Sequence, residues 1–129
     1  MADEIRLSLS LDVNKNNLSV SFRPDSISPD LAGDPNVAAV QTITTAFANL
    51  TINTNVTNGG YCWFRNLSTS TTTSPTIKIA SCAATAAGTS FPFAALLGGE
   101  FALTRCVSTA FSAISSTASA DLQFGILSA

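Results

Sequence analysis

The chain has 129 residues, enough for one domain with a buried core. Hydrophobic residues make up 46% of it, but charged residues only 11%, less than half of the usual ~25%. The net charge is −2 and no basic stripe is present, which argues against nucleic-acid binding. No apolar run approaches the roughly 20 residues of a membrane-spanning helix.

Serine and threonine take the place of the missing charges. A hydroxyl-rich surface with few charges is poorly protected against association, which favours a protein that functions inside an assembly. A neutral secreted module is the alternative. The acidic opening residues, Met1–Glu4, run directly into a strand pattern, so we expect no signal peptide.

The first elements predict an antiparallel hairpin. Residues 5–13 alternate between apolar and polar side chains, which predicts a strand with one buried face. The asparagine-rich segment 14–17 predicts a turn, because asparagine tolerates a positive φ. Leu18–Phe22 alternates in the same way and predicts the second strand.

A proline-rich loop is predicted over residues 24–36, because proline removes backbone donors and aspartate favours turns. Loops of this length in compact domains are usually functional or mobile. Two interpretations follow, an arm that contacts a partner and an exposed connection. The candidate partner-contact residues are Pro24, Asp25, Pro29, Asp30, Asp34 and Pro35.

The segment Gly60–Leu67 contains the only tryptophan and the only tyrosine of the chain. Its bulky residues predict a central strand covered on both faces. Further strands are predicted within residues 37–56, at Ile77–Ile79, and within 101–126. Turn signals recur about every 8–12 residues and no helix is predicted. The chain is therefore predicted to be a single all-β domain, residues 1–129, forming a β-sandwich or jelly roll of about eight to ten antiparallel strands; an immunoglobulin-like sandwich is the alternative.

The residue types argue against an enzyme. The chain has no histidine, which excludes Ser-His-Asp triads, Cys-His dyads and most catalytic zinc sites. Asp25, Asp30 and Asp34 cluster in the proline-rich loop but lack the spacing of a calcium-binding EF-hand. We predict no catalytic, cofactor-binding or metal-binding residues.

The cysteines and the aromatic residues are interpreted as structural. Cys62, Cys82 and Cys106 fit no zinc pattern and are predicted to be buried thiols; one disulfide with a free thiol is left open. Trp63 is predicted to lie in the core. The alternative is that Trp63 and its aromatic neighbours form a platform on which a sugar stacks.

Several segments together resemble a family of small all-β virion proteins of tailed phages, associated with capsid decoration and also called cement proteins. The similar segments are the opening Met1-Ala2-Asp3-Glu4-Ile5, the central Gly60–Leu67, the stretch Phe93–Arg105 with its Gly-Glu turn, and the closing Ala118–Phe124. Ala95 and Leu97 stand where the family tends to carry basic residues. The end, Leu127-Ser128-Ala129, lacks the family's usual acidic pair.

The resemblance implies a non-enzymatic structural protein, made in the host cytoplasm and located on the capsid surface of the virion. Its partner would be the major capsid protein, whose lattice it binds and stabilises, and it would form a homo-oligomer, a trimer at threefold positions. We expect the proline-rich loop and the first strand to supply contacts. The alternatives are another virion component, in the tail, neck or head fibre, and a carbohydrate-binding β-sandwich module.

Overall fold

A computed structural model describes residues 5–28, 36–54, 56, 59–69, 73–84 and 92–128, with the backbone alone described at residues 36–38. Contacts within the chain divide it into two compact units, residues 1–31 and 32–129. Each unit is described by itself. The boundary between them falls inside the predicted proline-rich loop, and the organisation as a single domain stays a prediction.

Unit 1 contains the predicted hairpin. Strands β1 (Leu11–Lys15) and β2 (Leu18–Phe22) pair antiparallel, with Leu11 opposite Phe22. Asn16 in the connecting turn has a φ of 53°, a left-handed conformation that asparagine adopts more readily than most residues. A pair of backbone hydrogen bonds between Leu7 and Ile27, at 2.9 and 3.1 Å, joins the segments that flank the hairpin. The predicted hairpin is confirmed, although its first strand begins later than the alternation does.

Unit 2 is a β-sandwich of two four-stranded antiparallel sheets. Its strands are β3 (Asn36–Ile43), β4 (Ala48–Asn49), β5 (Gly60–Asn66), β6 (Ile77–Ala80), β7 (Pro92–Leu96), β8 (Phe101–Arg105), β9 (Ser112–Ser115) and β10 (Ala120–Ser128). One sheet has the order β3-β10-β5-β8 and the other β4-β9-β6-β7. No helix occurs within the described residues. The all-β class is confirmed, and jelly-roll connectivity stays a prediction.

The core of unit 2 lies between the inner faces of its two sheets. Its buried members come from both sheets, among them Phe124 of β10 and Ile79 of β6. The ring of Phe64, on β5, lies 5.4 Å from that of Phe111 and 6.0 Å from that of Phe93, between centroids. Such edge and tilted contacts add to the burial of apolar surface. An aromatic cluster therefore joins the two sheets.

The central strand is where it was predicted, but only one of its faces is buried. β5 lies between β10 and β8. Cys62 and Phe64 are fully buried on the inner face, whereas Trp63 is only partly buried on the outer face, beside the exposed Arg65. The prediction that both faces are covered is wrong, and so is the core position of Trp63. The side chains of β5 do alternate between an inner and an outer face. The alternation is not evident in the sequence because the outward side chains are large and amphipathic too.

Asn66 is the last residue of β5, and its side chain is fully buried. Its side-chain Nδ2 donates hydrogen bonds to the carbonyls of Pro75 (2.9 Å) and Leu96 (3.0 Å), while its Oδ1 accepts one from the N–H of Ser68 (3.0 Å). A buried amide is stable only when its donors and acceptors are paired, as they are here. Asn66 therefore links β5 to the chain around the opposite sheet.

Candidate protein-interaction surfaces

One face of the hairpin is an exposed apolar surface, which we name the hairpin face. It consists of Leu11, Val13, Leu18, Val20 and Phe22, each 39% to 56% exposed. Register places them on the same side, with Val13 directly opposite Val20. Lys15, opposite Leu18, stands on this side too, at its turn end. The alternation predicted this apolar face correctly, but the prediction that it is buried holds only for Ile5, at the start of the pattern, and is wrong for Leu11 and Val13. Two strands form only one layer, and a face is buried only when a second layer covers it.

The other face of the hairpin is held by polar contacts. The hydroxyl of Ser21 donates to Oδ1 of Asp12 at 2.7 Å, and Arg23 donates to Oδ2 of the same carboxylate at 3.0 Å. These hydrogen bonds hold the pKa of Asp12 below its ordinary value of 3.8, and the bond from Ser21 has the largest effect. The charges of Asp12 and Arg23 are thus paired with each other, away from the hairpin face.

Two of the predicted loop contacts lie beside the hairpin. Pro24 and Asp25 are exposed and follow β2 almost directly. Pro29, Asp30, Asp34 and Pro35, the other predicted contacts, lie outside the described residues. The hairpin face combines β1, part of the first strand that was expected to supply contacts along with the loop, with β2, for which no contact was expected.

The outer side of the β3-β10-β5-β8 sheet carries a second such surface, which we name the Trp63 face. Its members are the outward side chains of β5 and β8, namely Tyr61, Trp63, Arg65, Phe101, Leu103 and Arg105. Phe101 is 70% exposed and Leu103 43%. Tryptophan, tyrosine and arginine are the residue types most often found at the energetic centre of protein interfaces.

Trp63 lies across Gly125 of the neighbouring strand, directly opposite it in register. A Cβ atom built on Gly125 would meet Nε1 of the indole and would lie 2.6 Å from its Cε2. Only glycine leaves room for the ring against the backbone of β10. The local signal for this arrangement is the isolated glycine inside the long apolar pattern of the last strand, which indicates close approach of another group.

The remaining members extend this surface across β8. The guanidinium of Arg105 lies 5.2 Å from the centroid of the Tyr61 ring, within the range of a cation–π contact. An open groove of about 540 Å³ runs beside Trp63, lined also by Arg65, Phe101 and Leu103. The lining is mainly apolar, which suits a protein side chain better than a strongly hydrated ligand.

The three cysteines lie in different environments. All three are free; Cys62 is buried, Cys106 is half-buried and Cys82 is exposed, so the prediction that all three are buried holds only for Cys62. Burial, with the neighbouring Cys106 thiol as the next cause, raises the pKa of Cys62 from 9.0 to about 12. Because the thiolate is the nucleophilic form, Cys62 is inert near neutral pH.

The described part of the chain contains no group of three or more His, Cys, Asp or Glu side chains that could hold a metal ion. Within the same residues, no helix has the length and apolar character needed to cross a membrane. In comparisons with known proteins, no protein-family model, no curated protein and no solved structure matches this chain.

Proposed function

We propose that this protein is a non-enzymatic structural component of a phage virion, a capsid decoration protein that binds the major capsid protein lattice and stabilises it. The observation that carries the proposal is the hairpin face, five large apolar side chains on one side of a two-stranded hairpin, each 39% to 56% exposed. The resemblance of four segments to small virion proteins supports the capsid as the partner. The low fraction of charged residues supports a protein that functions inside an assembly.

The hairpin face needs a covering layer for a physical reason. An isolated two-stranded hairpin is at best marginally stable in water, and three or more strands or a packed layer are needed for independent stability. Five large apolar side chains on one side provide the missing stabilisation once a partner covers them. Attachment to the capsid would then order the hairpin and bury the hairpin face in one step.

Attachment at many equivalent sites makes a modest interface sufficient. A specific interface buries roughly 1,200–2,000 Å² in total. Copies that bridge neighbouring capsid subunits gain further stability through multivalency, because the second contact is made at high effective concentration. The trimer that the resemblance implies would assemble on the capsid itself, at its threefold positions.

Co-sedimentation with empty capsids of the same phage tests the proposal. The wild-type protein should sediment in stoichiometric amounts. Val20→Lys places a charge in the middle of the hairpin face and should reduce occupancy at least tenfold. Ser19→Lys adds the same charge to the opposite, polar face of β2 and should leave occupancy within twofold of wild type.

The outcomes separate the parts of the proposal. A wild-type protein that stays in the supernatant contradicts capsid decoration and points to the tail, neck or head fibre. Equal occupancy by wild type and Val20→Lys contradicts the role of the hairpin face. Deleting residues Pro29–Pro35 tests the predicted loop in the same assay, and unchanged occupancy would remove the loop from the contact.

The partly exposed Trp63 favours carbohydrate binding as a second candidate. An indole flat on a sheet surface can stack on a sugar ring. Trp63→Ala should abolish binding on a panel of immobilised glycans if this candidate is correct. If the wild-type protein retains no glycan on that panel, the candidate is excluded.

A further inference from the structure

We infer that the outer edge of strand β8, which no described strand covers, pairs with the same edge of a second copy of this chain, antiparallel and about a twofold axis at Leu103. The pairing would extend the β3-β10-β5-β8 sheet into one of eight strands across two copies. It would also bring two Trp63 faces side by side. This inference is independent of the proposed function, because it rests on the sheet edge alone.

The hydrogen bonds of β8 show which backbone groups face the open edge. The N–H of Cys106 donates to the carbonyl of Gly60 at 2.8 Å, and the carbonyl of Glu100 accepts from the N–H of Asn66 at 3.0 Å. Even-numbered residues of this strand therefore point towards β5. Since these groups alternate along an antiparallel strand, those of Phe101 and Leu103 point away from β5.

No strand among the described residues pairs with that outer edge, since β8 is the last strand in its sheet. Native proteins usually protect such edges with lysine, proline, a bulge or a covering segment. β8 contains neither lysine nor proline, and it pairs with β5 without a register shift. Its one charged side chain, Arg105, stands at its last position. An edge of this kind is a template for another strand.

The strand is self-complementary when Leu103 is placed on a twofold axis. Leu103 then faces its own counterpart, and Phe101 faces Arg105 of the second copy. The twofold axis generates this Phe–Arg pair two times. Arg105 already lies against the ring of Tyr61, so its guanidinium would be placed between two aromatic rings. No like charges stand directly opposite each other in this register, which is the arrangement that stabilises cross-strand pairs.

The same register satisfies the requirement of a twofold interface, in which one surface patch contacts an identical patch. Five-residue strands bury a small area, below the roughly 1,200 Å² of a standard interface. We therefore expect a dimer that dissociates on dilution.

Light scattering and sedimentation equilibrium over a concentration series test the pairing in solution. The wild-type chain should change from monomer to dimer as its concentration rises. Leu103→Lys sets two ammonium groups opposite each other at the axis and should abolish the dimer. Val107→Lys, two residues beyond β8 at a position 98% exposed, is the matched control and should dimerise like wild type.

Cysteine cross-linking tests the register itself. In a Cys82→Ser background, Leu103→Cys places two thiols on facing residues about 5.5 Å apart between Cα atoms, within disulfide range. Oxidised glutathione should convert this variant to a covalent dimer by oxidising the two thiols, while it is itself reduced. Phe101→Cys separates its thiols by four residues of register, roughly 13 Å along the strand, and should not cross-link.

Each result supports or overturns the inference. A wild-type monomer at every concentration overturns it, and so does a trimer that Leu103→Lys leaves intact. Cross-linking of Phe101→Cys but not of Leu103→Cys overturns the register. None of these results touches capsid occupancy, because a Leu103→Lys monomer with an intact hairpin face can still co-sediment with capsids.

Discussion

The hairpin and the sandwich use the same alternating pattern with opposite outcomes. In β10, the apolar positions Leu122, Phe124 and Ile126 are fully buried against the opposite sheet. In the hairpin, Val13 and Val20 occupy equivalent positions and are 39% and 47% exposed. Alternation therefore shows which face of a strand is apolar. Only a second layer determines whether that face is buried within the chain.

The largest expected contrast comes from removing one phenylalanine in each region. Phe64→Ala deletes a fully buried ring that contacts two others and should lower the free energy of unfolding by about 3–5 kcal/mol. Phe22→Ala on the hairpin face should change it by no more than about 0.5 kcal/mol in the isolated chain. Urea denaturation of both variants measures the contrast. A loss above about 2 kcal/mol for Phe22→Ala would show that the chain itself covers the hairpin face.

A slightly smaller loss is expected at the buried amide of the sandwich. Asn66→Ala removes the donors to the carbonyls of Pro75 and Leu96. Leaving buried carbonyls without a partner costs about 1–3 kcal/mol, in addition to the lost packing. The same denaturation experiment measures it, with Asn14→Ala on the exposed polar face of the hairpin as the control. Equal stability of Asn66→Ala and wild type would contradict the hydrogen bonds described.

A substitution on the outer face of the sandwich should lower the free energy of unfolding by less than one in its core. Gly125→Ala introduces a methyl group where the indole of Trp63 lies, so the ring must move away from β10. We expect destabilisation of about 1–3 kcal/mol and a red shift of tryptophan emission as the indole enters water. Fluorescence of the sole tryptophan reports this directly. An unchanged emission spectrum would show that the indole does not occupy that position.

The smallest effect concerns the polar face of the hairpin. The pKa of Asp12 is lowered in the folded chain, so its stabilising contribution is present above the unfolded value near 3.8 and is lost as the pH falls through the folded value. An NMR titration should place the Asp12 midpoint below 3.8. Ser21→Ala should raise this midpoint, and Arg23→Gln should raise it to a smaller extent, since the hydrogen bond from Ser21 is the principal cause. A midpoint in wild type equal to that of the urea-unfolded chain would contradict the contacts described.

Local patterns predicted the fold well where one physical rule dominates. The β2 bounds, the asparagine turn, the last strand and the buried pair Ile77 and Ile79 follow from alternation and turn chemistry. The central position of β5 follows from its bulky residues. The class of fold could therefore be predicted without any knowledge of which strands pair.

The candidate surfaces could be predicted only in part, because exposure depends on the packing of distant segments. The ring of Trp63 can lie against β10 only because Gly125, far away in sequence, leaves room for it. The edge position of β8 follows from sheet order, which no local pattern encodes. The apolar character of the hairpin face was evident from the sequence, but its exposure was not.

Hydrogen–deuterium exchange of the hairpin amides, free in solution and on capsids, tests the central claim most directly. Free protein should exchange rapidly over Leu11–Phe22 and slowly over β5 and β10, because one hairpin layer opens more easily than a packed sandwich. On capsids, the hairpin should gain at least tenfold protection while the protection of β5 stays the same. Capsid-bound protein whose hairpin exchanges as fast as in free solution would contradict the proposal that the hairpin face is the attachment surface.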